Sequence, residues 1–242
     1  MVAHPPIFLA SGEQWPGDAA MFTTIQAHEI SGNSGILEQF FRLRKRVFFD
    51  QMKWAVPVCG DIERDAYDDA APTYLLWCDA ARTVVYGGLR LMPTTGPTLL
   101  HDVFQATHGR NPDLIAADVW EGTRMCLDEV AIKRDMPDMD LGRAFSLMFV
   151  ALCEAAMALG IRQMVSNFEA CMSRIYRRAG LRWNLHGEAD GYGARTVYCA
   201  AFPVGQDVLA GLRARHGLTA PLFQPETGLR PACTPEPLYE AA

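Results

Sequence analysis

Apolar residues recur along the chain with the two spacings that distinguish helices from strands. From residue 35 to residue 52 they recur every three or four positions, which predicts a helix with one buried face. A second helix is predicted over 141–158, because Asp140 suits a helix N-cap and Gly160 suits a helix end. Shorter helices are predicted at 170–178 and 206–215.

Short apolar runs bounded by turn residues predict strands. Thr73–Cys78 and Thr83–Met92 are joined by a short turn, and residues 55–72 form an irregular acidic connection before them. Because strands and helices mix without strict alternation, we predict a single three-layer α/β or α+β domain. Other strands are predicted to begin at Met21 and to cover 120–130, 161–168 and 196–202.

The chain divides into three parts. Residues 1–20 contain three prolines and little periodicity, so we expect an N-terminal extension that adds little to the core. Residues 21–205 contain the predicted elements of the main domain. Residues 206–242 contain a weakly predicted helix and then a tail with five prolines.

Composition narrows the functional classes. The 242 residues are 50% hydrophobic and 21% charged, which excludes a largely disordered chain. The net charge of −6 argues against nucleic acid as the main partner. We expect no membrane span, because no apolar run approaches the roughly 18 residues that a span requires. We also expect no signal peptide, because the first residues lack a basic region followed by an apolar one.

The cysteines and histidines do not predict a metal site. The seven cysteines are scattered without a C-x-x-C pair, and the six histidines form no H-E-x-x-H motif. Scattered cysteines are typical of reduced thiols in the cytosol. The sequence therefore predicts a cytoplasmic protein without a metal.

Charged residues stand where apolar ones are expected. Arg44 falls on the helical stripe of Leu37, Phe41 and Phe48, so either its stem lies at the edge of the core or carboxylates neutralise it. The acidic connection supplies carboxylates just after Trp54. These are Asp61, Glu63, Asp65, Asp68 and Asp69.

The acidic connection has two interpretations. An EF-hand calcium loop is excluded, because Ala66 and Pro72 occupy the positions that require Gly and Glu. The connection is then either a solvated acidic loop or a negative pocket beside Trp54, and such a pocket would suit an organic cation.

Two later strands also carry charge. Arg90 lies in the apolar segment GGLRLM, and Glu121 begins the segment that contains Thr123 and Arg124. Burial would raise the pKa of Glu121 towards that of a general base near neutrality. The alternative is a structural ion pair with one of the arginines.

Together these residues resemble the LuxI-type acyl-homoserine-lactone synthases, the autoinducer-producing enzymes of quorum sensing. The resemblance covers roughly residues 21–205 and consists of several linked motifs in order. The chain departs from the family pattern in residues 1–20, in the small Gly122 and in the tail beyond about residue 220. The motifs are Arg44-Lys-Arg-Val-Phe48, Trp54, Glu63-Arg-Asp65-Ala-Tyr-Asp68, Gly88-Leu-Arg90-Leu-Met-Pro93-Thr94, Asp102-Val-Phe104 and Glu121-Gly-Thr123-Arg124.

The resemblance implies a fold and a reaction. The fold would be similar to that of the GNAT acyltransferases, with a twisted mixed β-sheet, helices on both faces and a cleft where central strands splay apart. The substrates would be S-adenosylmethionine (SAM) and an acyl thioester, with no tightly bound cofactor. Acyl transfer to the amine of SAM would be followed by lactone closure and release of methylthioadenosine.

The resemblance also implies roles for the charged residues. Asp65, Asp68 and Trp54 would bind the cationic parts of SAM, and Arg44 or Arg124 would bind its carboxylate. Glu121 is the candidate base. Arg90 or backbone N–H groups would stabilise the oxyanion. Phe48 and Phe104 complete the predicted SAM site, and Thr123 completes the predicted catalytic set.

The acyl group and its donor are less constrained by the sequence. An apolar stripe is a candidate acyl pocket, although such stripes are more often plain core. The donor is acyl-carrier protein or acyl-CoA, and the arginine-rich segment 174–182, with Arg162 upstream, slightly favours the carrier protein. The candidate pocket residues are Met125, Phe145, Met148, Phe149, Leu152 and Met164.

Two alternatives remain open at the level of sequence. A GNAT-like N-acyltransferase that uses acyl-CoA on another amine would share the fold, but it would not explain Trp54, Asp65 and Asp68. A catalytically silent sensor that binds SAM or acyl groups is also compatible with the fold, although Glu121, Asp68 and Arg124 argue against it.

Overall fold

The computed structural model describes residues 20–225 and 229–231. The predicted extension therefore lies outside the described residues apart from Ala20, and so does most of the predicted tail. Nine strands are present in the described part: β1 (Ala20–Ile25), β2 (Val58–Cys59), β3 (Ile62–Glu63), β4 (Thr73–Asp79), β5 (Val85–Pro93), β6 (Val119–Leu127), β7 (Gln163–Glu169), β8 (Asn184–Ala189) and β9 (Val197–Pro203).

Six α-helices accompany the strands. The first continues directly into a π-helical segment, Lys45–Gln51, so the two together match the helix predicted from residue 35 to residue 52. The helices are α1 (Ser34–Arg44), α2 (Leu99–Asp102), α3 (Glu129–Asp135), α4 (Leu141–Ala158), α5 (Ser173–Ala179) and α6 (Gln206–His216).

Seven of the strands form one mixed sheet in the order β1-β4-β5-β6-β7-β9-β8, and β2 and β3 form a separate small hairpin. Among the paired strands of the described residues, only β6 and β7 run parallel to each other. A parallel pair requires a crossover connection, which α3 and α4 provide. The predicted mixed sheet is confirmed.

Side chains alternate across the sheet and bury two separate layers of core. On β4, Leu75 and Trp77 pack with α4 on one face, whereas Tyr74 and Leu76 pack with α1 on the other. We call these the α4 face and the α1 face. Helices therefore cover both sides of the sheet, and the predicted single three-layer domain is confirmed.

The sheet opens between β6 and β7. These strands pair only over Val119–Glu121, and beyond Glu121 they separate. On the other edge of β6, the register against β5 shifts, and Arg124 takes a left-handed backbone conformation with φ of 57°. A bulge of this kind bends a strand and redirects its side chains. The predicted cleft between splayed central strands is thus present.

Besides the β2–β3 hairpin, which lies in the segment predicted as an irregular connection, three short elements were not predicted. The strand predicted over 120–130 ends at Leu127, because the Asp128 carboxylate accepts a hydrogen bond from Ala131 N at 3.1 Å and caps α3. β8 is an edge strand with mostly polar or exposed residues, so its sequence lacks a clear apolar period. α2 spans only four residues and is similarly hard to predict.

α4 is the central helix of the core. Asp140 caps it as predicted, since its carboxylate accepts a hydrogen bond from Arg143 N at 2.8 Å. By length and composition alone α4 could cross a membrane, although Arg143 and Glu154 interrupt its apolar residues. Because 61% of that segment is buried inside the protein, its apolarity is explained by packing against the sheet.

One buried carboxylate on α4 anchors the segment that follows α6. Glu154 accepts hydrogen bonds from Arg213 of α6 at 2.8 and 3.0 Å. Its other oxygen accepts the backbone N–H groups of Leu222 and Phe223 at 2.8 and 2.7 Å. Phe223 also forms an isolated parallel bridge with Phe22 of β1. Residues 206–223 are thus part of the packed domain.

We expect Glu154→Ala to destabilise the protein by about 2–4 kcal/mol, because it leaves two buried N–H groups and a partly buried guanidinium without their acceptor. Urea unfolding measures this free energy. Glu38→Ala, which removes a half-exposed pair with Arg42 on α1, is the control and should cost less than about 1 kcal/mol. Equal losses in the two variants would contradict the anchoring role.

Candidate functional site

A cavity of about 480 Å³ occupies the opening between β6 and β7. Its walls come from the π-helical segment, the residues after α2, both separated strands and α5. The cleft therefore brings together parts of the chain that are far apart in sequence. Eight of the predicted site residues line it: Phe48, Trp54, Phe104, Glu121, Thr123, Arg124, Met125 and Phe145.

Beside this cavity lies a buried cluster of three arginines and three carboxylates, which we call the ion-pair network. Its formal charges sum to zero, as burial of so many ionised groups requires. The arginines come from α1, β5 and β6, and the carboxylates come from the acidic connection. The members are Arg44, Arg90, Arg124, Glu63, Asp65 and Asp68.

Arg44 is fully buried at the centre of this network. Two of its guanidinium nitrogens donate to the two oxygens of Asp68 at 2.7 and 2.9 Å, and Nε donates to Glu63 at 2.5 Å. Tyr74 also donates to Asp68, at 2.8 Å. Burial alone would raise the pKa of Asp68, but the hydrogen bonds and charge of Arg44 hold it well below its ordinary value.

Asp65 connects the buried part of the network to the cavity wall. It accepts from Arg90 at 2.5 and 3.2 Å and from Arg124 at 2.9 Å. Arg90 also donates to Thr123 Oγ1 at 3.2 Å. Glu63 accepts from Arg124 Nε at 3.2 Å. Arg124 is therefore held from behind by two carboxylates.

Four of the residues predicted to contact ligands lie behind the cavity wall and not on it. Arg44, Asp65, Asp68 and Arg90 do not line the large cavity, and each is already paired within the network. The expected negative pocket is wrong for the same reason, since arginines neutralise its carboxylates. Arg44 also does not lie at the edge of the core: its side chain is 0% exposed.

Arg124 is the network member that reaches the cavity. The bulge in β6 turns its guanidinium over the ring of Phe48, 5.7 Å from the ring centroid. Phe48 stacks on Trp54 with centroids 5.1 Å apart and an angle of 19° between the rings. Trp54 is 36% exposed. The cavity thus has one wall with two stacked aromatic rings and a cation.

Glu121 faces the same cavity and is 1% exposed. One carboxylate oxygen accepts a hydrogen bond from Leu99 N at 3.0 Å. The other is buried and has no hydrogen-bond partner in the described part of the chain. Burial raises the pKa of Glu121 to about 7, although the charges of Arg90 and Arg124 oppose the shift. This carboxylate can therefore exchange a proton near neutral pH.

A smaller apolar cavity of about 80 Å³ lies on the α4 face of the sheet, beside the opening. Four of the candidate acyl-pocket residues line it, namely Met125, Phe149, Leu152 and Met164. Met148 lines neither cavity. Its position on α4 turns it towards Gly87 of β5, where it is fully buried, so its assignment to the pocket is wrong.

Two polar residues near the cavity were not in the predicted set of site residues. Glu63, which bridges Arg44 and Arg124, was detectable as part of the acidic connection. Asn167 of β7 lines the large cavity and donates to Thr107 Oγ1 at 2.8 Å, while its amide oxygen is buried without a partner among the described residues. A polar Ser-Asn pair inside an otherwise apolar strand was the available signal.

Across residues 20–225 and 229–231, no group of three or more His, Cys, Asp or Glu side chains is placed to hold a metal ion. The carboxylates that cluster near the cavity are instead paired with arginines.

Comparisons with known proteins identify relatives of this chain. A model of the autoinducer synthase family matches residues 28–211. An acyl-homoserine-lactone synthase of Rhizobium etli is 37% identical over 147 residues, which cover 60% of this chain and 66% of that protein. A probable acyl-homoserine-lactone synthase of Sinorhizobium fredii is 30% identical over 178 residues, 74% of this chain and 85% of that protein.

A solved structure extends the likeness to the fold. The structure of a CoA-dependent acyl-homoserine lactone synthase, BjaI, with SAM and isopentyl-CoA, matches with a TM-score of 0.74 and 27% sequence identity. The match covers 88% of this chain and 96% of that one. Since the family model also matches most of the chain, this protein belongs to the autoinducer synthase family.

Proposed function

We propose that the protein transfers an acyl group from acyl-CoA to the amine of SAM and then closes the product to an acyl-homoserine lactone. The observation that carries this proposal is the large cavity, where Glu121, with a pKa near neutrality, and Arg124, beside two stacked rings, open towards apolar space. Relatives named as acyl-homoserine-lactone synthases support it.

The wall formed by Trp54, Phe48 and Arg124 suits SAM. Aromatic rings attract a sulfonium through their π faces. A guanidinium binds a carboxylate, and Arg124 is the network arginine at the cavity wall. Phe104 also lines the cavity, and its ring lies 4.8 Å from that of Tyr192 between centroids.

Glu121 is placed to take the proton that the SAM ammonium must lose. The neutral amine then attacks the thioester carbonyl carbon, a C–N bond forms, and the C–S bond breaks to release the thiol with a proton. Next, the SAM carboxylate attacks its own γ-carbon, and the C–S bond to the sulfonium breaks. The products are the acylated lactone, methylthioadenosine, the thiol and one proton.

The oxyanion formed during acyl transfer needs hydrogen-bond donors. Arg90 was a candidate, but it is buried away from the cavity and bonded to Asp65 and Thr123. Beyond Glu121 and Val165 the facing edges of β6 and β7 no longer pair. We therefore assign oxyanion stabilisation to backbone N–H groups at this opening, the other candidate.

Acyl-CoA is the donor that we favour over the carrier protein. BjaI is CoA-dependent by name and similar over most of this chain. On α5, Tyr176 and Ile175 face the cavity, whereas Arg174, Arg177 and Arg178 are exposed. Such a helix can place phosphates outside and an acyl chain inside. Arg162 does not join this surface, because it pairs with Asp118.

We place this reaction in the cytoplasm. The six cysteines in the described part of the chain are all free, and four of them are buried. Reduced, buried thiols are typical of the cytosol.

The direct test of the function is incubation of the purified protein with SAM and one acyl group carried either by CoA or by acyl-carrier protein. We expect acylated lactone and methylthioadenosine in equal amounts by mass spectrometry, formed faster from acyl-CoA. Faster turnover with the acyl group on acyl-carrier protein than on CoA would overturn the donor assignment. An acylated amine without methylthioadenosine would indicate a different N-acyltransferase, and binding without turnover would indicate a sensor.

Glu121→Gln should lower kcat roughly 100-fold to 10,000-fold with a much smaller change in SAM affinity, because the amide cannot accept the proton. In the wild type, kcat/KM should rise as pH increases through about 7, since Glu121 is a base only when ionised. Rates at several pH values and SAM titration by calorimetry measure both effects. A variant that keeps the same pH profile would exclude Glu121 as the base.

Asp68→Asn should destabilise the protein by about 3–5 kcal/mol, since it leaves the charge of Arg44 only partly compensated in the interior. SAM affinity should fall as well, because the network holds Arg124 from behind. Chemical unfolding and SAM titration measure the two effects. Asp61→Asn, at an exposed pair with Arg42, is the matched control. Unchanged stability in Asp68→Asn would contradict the network's structural role.

A further inference from the structure

Gly122 stands at the point where the sheet divides. It follows Glu121, the last residue of β6 that pairs with β7. Its carbonyl oxygen accepts a hydrogen bond from Ser166 Oγ of β7 at 2.9 Å. Gly122 lines both the large cavity and the smaller one, as do Met125, Ser166 and Tyr176. The two cavities therefore share a wall.

The missing side chain of Gly122 faces the smaller cavity. A Cβ atom at this position would lie 3.2 Å from Met164 Cε and 3.7 Å from Leu89 Cδ1, and both of these residues line the smaller cavity. Gly122 is not among the residues with positive φ, so its backbone does not require glycine. The absence of a side chain thus changes the space at this wall and not the conformation of the strand.

Glu121, the residue before Gly122, connects the space beside Gly122 to the site of acyl transfer. Side chains of adjacent strand residues point to opposite faces, so Glu121 faces the α1 side while position 122 faces the α4 side. A thioester carbonyl held near Glu121 therefore has Gly122 directly beside it. An acyl chain that leaves the carbonyl through the opening must pass this residue to enter the smaller cavity.

The smaller cavity has the apolar lining that the end of an acyl chain requires. Phe149, Leu152 and Cys153 of α4 and Val208 and Leu212 of α6 surround it. Such apolar walls favour methyl and methylene groups over polar ones.

We propose that Gly122 is a specificity-determining residue, which lets the acyl chain turn past β6 and place its end in the smaller cavity on the α4 face. Side chains at position 122 would occupy the passage and shorten the chain that the protein accepts. This inference rests on the proposed acyl transfer and assigns a path to the acyl group.

The test compares wild type, Gly122→Ala and Gly122→Val on straight-chain acyl-CoA donors from butanoyl to dodecanoyl. A methylene group in an apolar pocket is worth roughly 10-fold to 200-fold in kcat/KM. We expect kcat/KM for the longest good donor to fall by at least about 10-fold relative to butanoyl-CoA in Gly122→Val, and by less in Gly122→Ala. The KM for SAM should stay unchanged.

Two further variants separate this role from a structural one. Gly35→Ala on α1 is the control, because its Cβ would meet no atom within 4 Å, and its chain-length profile should equal that of the wild type. Met164→Ala enlarges the smaller cavity and should shift the preference towards longer donors. An equal loss for all donors in both Gly122 variants, or an unchanged profile, would overturn the proposal. No turnover of any donor by the wild type would instead reject the proposed function.

Discussion

Pairing of buried guanidinium and carboxylate groups is the constraint on which the site depends. Removing such ions from water is costly, and the cost is offset only if each group finds partners with good geometry. Asp68 meets this requirement through two nitrogens of Arg44, the hydroxyl of Tyr74 and the N–H of Asp65. As a result, α1, the acidic connection and the central strands occupy fixed relative positions.

One wall of the cavity depends on these fixed positions. Arg124 is the member of the network nearest to solvent, and Glu63 and Asp65 hold it against the ring of Phe48. Its unusual backbone conformation is a local cost of about 1–3 kcal/mol that the surrounding structure must offset. Glu121 lies close to these charges but is dominated by burial, which explains why its pKa is raised while that of Asp68 is lowered. The pKa values of two carboxylates in one region are thus shifted in opposite directions.

Much of the fold could be predicted from periodicity and capping residues. α4 begins and ends where Asp140 and the approach to Gly160 indicate, because its apolar period is long and its cap is local. β8 could not be predicted, since it is an exposed edge strand whose order depends on pairing with β9. The opening between β6 and β7 also depends on long-range register, although the small Gly122 marks its position.

The membership of the site was easier to predict than the contacts of each residue. The motifs select Arg44, Asp65 and Asp68, but only the three-dimensional pairing shows what each contacts. Asp65 pairs with Arg124 directly, whereas Arg44 is linked to Arg124 through Glu63, and Asp68 pairs with Arg44 and Arg90. Met148 and Phe149 are adjacent on one helix, and a sequence period alone does not decide which of them faces a cavity. A crystal structure of the protein with SAM bound tests the proposed binding mode most directly. It should show the SAM carboxylate on Arg124 and the sulfonium near Trp54, with Asp68 still on Arg44. A SAM carboxylate bound to Arg44, or a sulfonium bound to Asp68, would contradict it.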